Sequence, residues 1–333
     1  MSFPLSISEV ARSLEIQRVG TKLQEEAKKG KNLVEFIREP FLRQREEVGR
    51  LVVALGSYDP LSKAHEALFL RGMEATKNKP ARNTLDELLI VTSTHHFEKN
   101  VDLRRNSAVY DRVHALEGFA SCYENVSLAL FNAPLFVTLA PLLEQKYGQD
   151  VSIYFVVGAD LMDKIVDPQS YVCHDLSGEE ALERLFNHSF IVSERRANTA
   201  EGSQVMGVED LKSKYPRLRQ YDGRLLGINL RGEYEGLEVP IQDVSSTLIR
   251  EKRSQGQNTR SLEATGISDF VDKRDLYLND GKYVAFTYAR ERFLEQYKDQ
   301  QIATYIKELM EYLHRLDQDP KLQEEEICRM ERK

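Results

Sequence analysis

The sequence predicts an α/β fold: a parallel sheet with helices on both faces, extended by helices at the N- and C-termini. Three observations predict it. Short, unbroken apolar runs recur through the middle of the chain, the pattern of strands buried on both faces. Segments with helical spacing alternate with those runs, as parallel strands require. Glycines stand at the ends of two of the runs, where the backbone must turn sharply into the next element.

In chain order, residues from Ser8 to about Arg50 read as helical. Val10, Leu14, Ile16, Val19 and Leu23 fall near helical spacing. Leu33, Phe36, Ile37, Phe41 and Leu42 do so again, with Lys28-Lys29-Gly30-Lys31 as the break. Leu51 to Leu55 is the first buried strand. Gly56 ends it, Asp59-Pro60 holds a turn, and His65 to Glu74 has good helix formers with one apolar face. Glu87 to Ser93 is a second strand, followed by a loop carrying His95, His96, Lys99, Arg104 and Arg105. A helix is expected from Ser107 to Phe119, a strand from Val126 to Leu130, a helix from Phe136 to Tyr147 and a strand from Val151 to Val157. Shorter strands follow at Phe190 to Ser193 and Gly227 to Leu230. Ala197 to Arg224 is polar and reads as a loop or small insertion. From Ser245 the chain turns helical. Beyond Tyr288 an apolar stripe of Phe293, Tyr297, Ile302, Tyr305, Ile306, Met310 and Leu313 suits core or a subunit contact, which leaves a homo-oligomer open. The last ~15 residues are highly charged and expected to fray. The division this implies is a helical extension over 1–48, a main α/β domain over 49–285 and a helical tail over 286–333.

The 333 residues suffice for a large core. A net charge of −7 argues against nucleic acid as the main partner, yet leaves room for a small phosphorylated ligand held by local basic residues. Three well-separated cysteines, Cys122, Cys173 and Cys328, suggest reduced thiols and a cytoplasmic setting. No apolar run nears the ~18 residues of a membrane span, and the N-terminus lacks the pattern of a signal peptide.

Two stretches carry chemistry. In Gly56-Ser57-Tyr58-Asp59-Pro60-Leu61-Ser62-Lys63-Ala64-His65, a strand gives way to a helix whose first free N–H groups favour an anion. Taken alone, this is a weak signal and an ordinary βα turn is the plainer reading; it is neither a P-loop nor GxGxxG. In Gln242-Asp243-Val244-Ser245-Ser246-Thr247-Leu248-Ile249-Arg250, Ser245 is the candidate N-cap. Ser246 and Arg250, at i and i+4, share one face. Hydroxyls at a helix start with a guanidinium one turn on can cradle a phosphate; a capped helix with a solvent-facing arginine is the plainer alternative. His95-His96 shows no metal-ligand spacing, and neighbours such as Cys173-His174-Asp175 rarely form a nucleophilic trio. No protein metal site is expected.

Together these stretches resemble the nucleotidyltransferase superfamily. The first is similar to its GSFNPxTxxH and the second to its ISSTxIR. Within the superfamily the similarity is greatest to the eukaryote-type nicotinamide/nicotinate mononucleotide adenylyltransferases. Gly158-Ala159-Asp160-Leu161-Met162, then Pro168 and Tyr171, matches their GxDLL…P..W. Lys99 stands at their substrate-loop lysine and Arg112 in their HR helix. The resemblance covers about Leu51 to Tyr277. Tyr58-Asp59 replaces Phe-Asn, Ser62 replaces Thr or His, Gln242 replaces Asn, and the chain has no tryptophan.

The resemblance implies a Rossmann-like sheet, with 49–285 as the catalytic domain, and transfer of AMP from ATP to a pyridine mononucleotide with loss of pyrophosphate. Mg²⁺ would ride on the triphosphate. It implies that His65, Ser62 and Arg250 are catalytic. The ATP-binding set would be Gly56, Ser57, His65, Gly158, Asp160, Arg195, Gln242, Ser245, Ser246, Thr247 and Arg250. Ser57, Tyr58, Lys99 and Tyr171 would bind the acceptor, with Tyr171 offering its ring in place of tryptophan. Arg195 could equally be a surface arginine. The alternatives are an adenylyl- or cytidylyltransferase using another phosphorylated acceptor, and an inactive relative that only binds nucleotide.

Overall fold

The computed structural model describes residues 7–331 except 40–46, 78, 82, 84, 95–105, 134, 175–176, 200–201, 231–233, 235–236, 279–280 and 297–301. After a long first helix, α1 (Ile7–Lys28), come β1 (Val34–Arg38), β2 (Val48–Gly56), α2 (Lys63–Thr76), β3 (Leu85–Ser93), α3 (Val109–Ala120), β4 (Val126–Phe131) and α4 (Phe136–Tyr147). The second half of the sheet follows with β5 (Ser152–Gly158), α5 (Ala159–Ile165), α6 (Gly178–Leu185) and β6 (Ser189–Ser193). A hairpin of β7 (Arg195–Thr199) and β8 (Gly202–Met206), then α7 (Val208–Lys214), leads to β9 (Leu225–Ile228). The chain ends in helices α8 (Ser246–Ser254), α9 (Ser268–Lys273), α10 (Gly281–Gln296), α11 (Ile302–Gln318) and α12 (Pro320–Glu331).

The described strands form a seven-stranded sheet in the order β1-β4-β3-β2-β5-β6-β9. All pairings are parallel except that of β1 with β4. β2 lies at the middle because its apolar run can be buried on both sides. Leu51, Val53 and Leu55 face the core under α4, α5 and α6, while Val52 and Ala54 face the core under α2, α3, α8 and α9. This is the two-residue alternation of a strand between two helical layers. The chain crosses to β3 and β4 on one side of β2 and to β5, β6 and β9 on the other. That reversal opens a crevice at the carboxyl ends of β2 and β5.

Several expectations differ from the structure. Within the expected N-terminal helical extension, Val34-Glu35-Phe36-Ile37-Arg38 is not helix but β1, paired with β4 from Val34↔Phe131 onward, while Phe41 and Leu42 lie outside the described residues. Apolar residues at 33, 34, 36 and 37 fit either period, and the unpaired edge of β4 decides between them. Ala197 to Arg224, read as a loop, holds part of the β7–β8 hairpin and α7. The tail expected to fray is helix over Pro320–Glu331. α12 packs its Ile327 with Phe293, Leu309 and Leu313, and its buried Glu326 accepts from Arg292 Nε at 2.8 Å. The boundary expected at 285/286 falls inside α10, and that at 48/49 falls inside β2.

The terminal helices also reach the α/β body. Val10 and Leu14 of α1 join Phe286, Ala289 and Phe293 of α10 in one apolar cluster. Arg290 of α10 pairs with buried Asp111 of α3 at 2.8 Å, and Tyr283 Oη accepts from the Ala108 N–H at the start of α3 at 2.9 Å. α3 has no side-chain N-cap of its own, so this phenol takes over part of that role.

Candidate active site

A cavity of about 600 Å³ occupies the crevice at the β2/β5 carboxyl ends. Its walls come from the turn after β2, the first turns of α2, the ends of β5 and β6, one residue of α3 and the start of α8.

His65 is set by the cap of α2. Ser62 is the N-cap; its Oγ accepts from the His65 N–H at 3.4 Å, and the Ser62 N–H donates to His65 Nδ1 at 3.1 Å. An amide can only donate, so Nδ1 is the acceptor and Nε2 carries the ring hydrogen. The Ser62 hydroxyl, 2.8 Å from Nδ1, supports the same tautomer. Burial, helped by the nearby Arg195 charge, pushes the His65 pKa down to about 4. At neutral pH the cavity wall therefore carries an uncharged imidazole with an N–H to donate.

α8 is latched onto the turn. Ser245 caps it, accepting from Leu248 N–H at 3.2 Å. Ser246 Oγ donates to the Pro60 carbonyl at 2.8 Å, and Arg250 Nη1 donates to the Asp59 carbonyl. Arg250 Nη2 also reaches Thr247 Oγ1 at 3.3 Å. The segments around residues 60 and 250, almost two hundred positions apart in sequence, thus share one wall.

Asp59 ties in a third segment. Its buried carboxylate accepts from Ser107 N–H at 3.2 Å, from the Ser107 hydroxyl and from Tyr277 Oη at 2.7 Å. It lies 3.4 Å from Arg112 Nη2. Arg112 is itself only 3% exposed; it donates to the Ser107 carbonyl and, through Nη1, to Ser57 Oγ at 2.8 Å. Three guanidiniums, of Arg112, Arg195 and Arg250, face two carboxylates, of Asp59 and Asp160, around the cavity. The balance favours an anionic occupant.

Of the residues singled out in the sequence, Gly56, Ser57, Tyr58, His65, Gly158, Asp160, Arg195, Ser246 and Arg250 line this one cavity. Ser62 lies behind it as the fully buried cap that orients His65. Ser245 and Thr247 act within α8, as cap and as partner of Arg250. Gln242 sits in the short 3₁₀ turn Ile241–Asp243, off the lining. Tyr171 is corrected: it is 3% exposed, packed in the core beneath α5 and α6, with its hydroxyl donating to the Ile165 carbonyl at 2.7 Å. Its ring offers no platform to the cavity. Lys99, His95, His96, Arg104 and Arg105 lie outside the described residues, as does Asp175 of the Cys173 trio. Sequence reasoning placed Arg112 in a motif helix but gave it no role; its link to Ser57 exists only in three dimensions.

No protein-family model matches the sequence, and no curated protein sequence does. Solved structures do match. The structure is similar to that of a Plasmodium falciparum nicotinic acid mononucleotide adenylyltransferase complexed with APC, at 16% identity and a TM-score of 0.43, covering 70% of this chain and 98% of that one. It is also similar to a Vibrio parahaemolyticus protein assigned as a nicotinate-nucleotide adenylyltransferase, at 13% identity and a TM-score of 0.38, covering 69% of this chain and 96% of that one. Among the described residues, no helix is long and apolar enough to cross a membrane.

Proposed function

We propose that the protein is a nucleotidyltransferase that transfers AMP from ATP to nicotinate or nicotinamide mononucleotide and releases pyrophosphate. The observation that carries this reading is the convergence of His65 on α2 with Ser246 and Arg250 on α8 in one cavity at the β2/β5 crevice. A triphosphate spanning that wall would meet an N–H donor at one end and a guanidinium at the other.

The acceptor's phosphate oxygen attacks the α-phosphorus, and the bond from that phosphorus to the bridging oxygen breaks. The chain needs no nucleophile of its own. Its work is positioning and neutralisation of charge on the departing pyrophosphate. His65 Nε2–H donates to an oxygen of the α- or β-phosphate. Ser246 and Arg250 hold the end that leaves, with Thr247 and Ser245 bracing α8. Gly158 and Asp160 meet the ribose, where a carboxylate accepts from hydroxyls; a Cβ on Gly158 would lie 2.5 Å from Asp160 Oδ1. Ser57 and Lys99 hold the acceptor's phosphate, and Arg195 supports the triphosphate. Mg²⁺ enters with ATP, since Asp59 is committed to Ser107, Tyr277 and Arg112 and offers no cage.

A second reading keeps the chemistry and changes the acceptor. The burial of Tyr171, in a chain without tryptophan, removes the expected ring platform and favours another phosphorylated acceptor. Pyrophosphate release from ATP separates the two. Release with nicotinate or nicotinamide mononucleotide supports the first reading. Release only with a different phosphomonoester supports the second, and none with any acceptor removes both.

A further inference from the structure

The cavity wall holds a tyrosine hydroxyl with no hydrogen-bond partner among the described residues. Tyr58 is 6% exposed, lines the cavity and makes no hydrogen bond to any described residue. Its backbone takes φ +49°, in the left-handed region that non-glycine residues seldom adopt. That conformation folds the side chain back over the end of β2. A Cβ built on Gly56 would lie 2.8 Å from Tyr58 Cζ and 3.0 Å from its Oη, so the phenol end occupies the space that the glycine leaves open. The ring stands edge-on to His65, centroids 5.4 Å apart, and edge-on to Phe69 at 5.7 Å. These contacts fix the ring and bring its hydroxyl to the carboxyl edge of β2. Burial pushes the Tyr58 pKa up, so the phenol keeps its proton.

Polar groups of largely buried side chains are almost always hydrogen-bonded, so a hydroxyl that opens on the cavity with no partner among the described residues points to a partner on the ligand. Resting on the nucleotide reading above, we infer that the Tyr58 hydroxyl donates a hydrogen bond to a phosphate oxygen of the bound nucleotide, alongside His65 Nε2–H. The phosphate chain is the fitting acceptor because the Tyr58 ring lies against Gly56 and His65, on a cavity wall where three guanidiniums face two carboxylates. Tyr58 is then a recognition residue: its ring positions His65 and its oxygen reads the phosphate.

The test is Tyr58→Phe, which removes one oxygen and keeps the ring contacts. Calorimetric titration of the full chain with ATP should show affinity reduced roughly tenfold, the effect of one hydrogen bond to a charged group. Affinity for adenosine should be unchanged, and so should the melting temperature of the unliganded protein. Gly56→Ala, which displaces the phenol while keeping its hydroxyl, should lose ATP affinity in the same way. Unchanged ATP affinity in Tyr58→Phe overturns the inference. So does an equal loss for adenosine, which would place the bond on the nucleoside. If the wild-type chain binds neither ATP nor adenosine, the nucleotide reading itself fails and takes this inference with it; binding by wild type and loss in His65→Ala alone would leave that reading standing and remove only Tyr58.

Discussion

Replacing Asp59 by asparagine tests how the turn is held. The carboxylate and the Arg112 guanidinium are 5% and 3% exposed and 3.4 Å apart. Asparagine keeps the shape but removes the charge. It also puts an NH₂ where both oxygens now accept, against donors from Ser107, Tyr277 and Arg112. Removing one partner of a buried pair costs about 3–5 kcal/mol, chiefly because the other charge is left buried and unpaired. Arg112 keeps the Ser107 carbonyl, with Nη2 at 2.9 Å, and Ser57 Oγ at 2.8 Å, so a loss near the lower end, about 3 kcal/mol, is expected. Urea unfolding of wild type, Asp59→Asn, Arg112→Met and the double variant measures this. The double variant should cost about 1–3 kcal/mol less than the sum of the singles, the coupling of residues in one network. A single-variant loss below about 0.5 kcal/mol, or losses that simply add, would refute the claim that this pair holds the turn to α3.

Other outcomes follow from the same geometry. The folded chain holds the His65 pKa at about 4, below its ordinary 6.5, so the unfolded chain binds more protons between those values. Stability is therefore complete above pH 6.5 and falls as pH drops towards 4, by up to about 3 kcal/mol. Denaturation at a series of pH values should show that slope, and His65→Gln should flatten it. Arg250→Ala should lower kcat for pyrophosphate release by about 10²–10³, as loss of a group that steadies departing charge would, at a cost of about 1–2 kcal/mol in urea unfolding from the lost hydrogen bond to the Asp59 carbonyl. Arg290→Ala strands the fully buried Asp111 carboxylate of α3, and unfolding curves should show a cost of about 3–5 kcal/mol.

The parts of this fold that could be read from the sequence are those in which one segment's own pattern determines the outcome. Leu51 to Leu55 and Val151 to Val157 are apolar on both faces and can only be buried strands in a layered fold. The i, i+4 spacing of Ser246 and Arg250 puts both on one face of α8, the cavity face, whereas the Ser62 cap that sets the His65 tautomer shows only in the folded turn. What could not be read depends on partners far away in the chain. β1 is a strand because β4 has an open edge beside it. The β7–β8 hairpin has a polar sequence, so hydrophobic periodicity gives no sign of it. α12 is anchored by a buried glutamate, the reverse of what hydropathy favours. Tyr171 matched a substrate-facing position by spacing alone, but the carbonyl of Ile165 and the core below α6 claim it. The Asp59 cluster joins residues 59, 107, 112 and 277, a grouping no local pattern announces.

The account depends most on a single triphosphate being held between α2 and α8. A crystal structure with a non-hydrolysable ATP analogue measures this directly. It should show phosphate oxygens within hydrogen-bonding distance of both His65 Nε2 and the Arg250 guanidinium in the β2/β5 crevice. A nucleotide bound elsewhere, or one touching only one of these two groups, would contradict it.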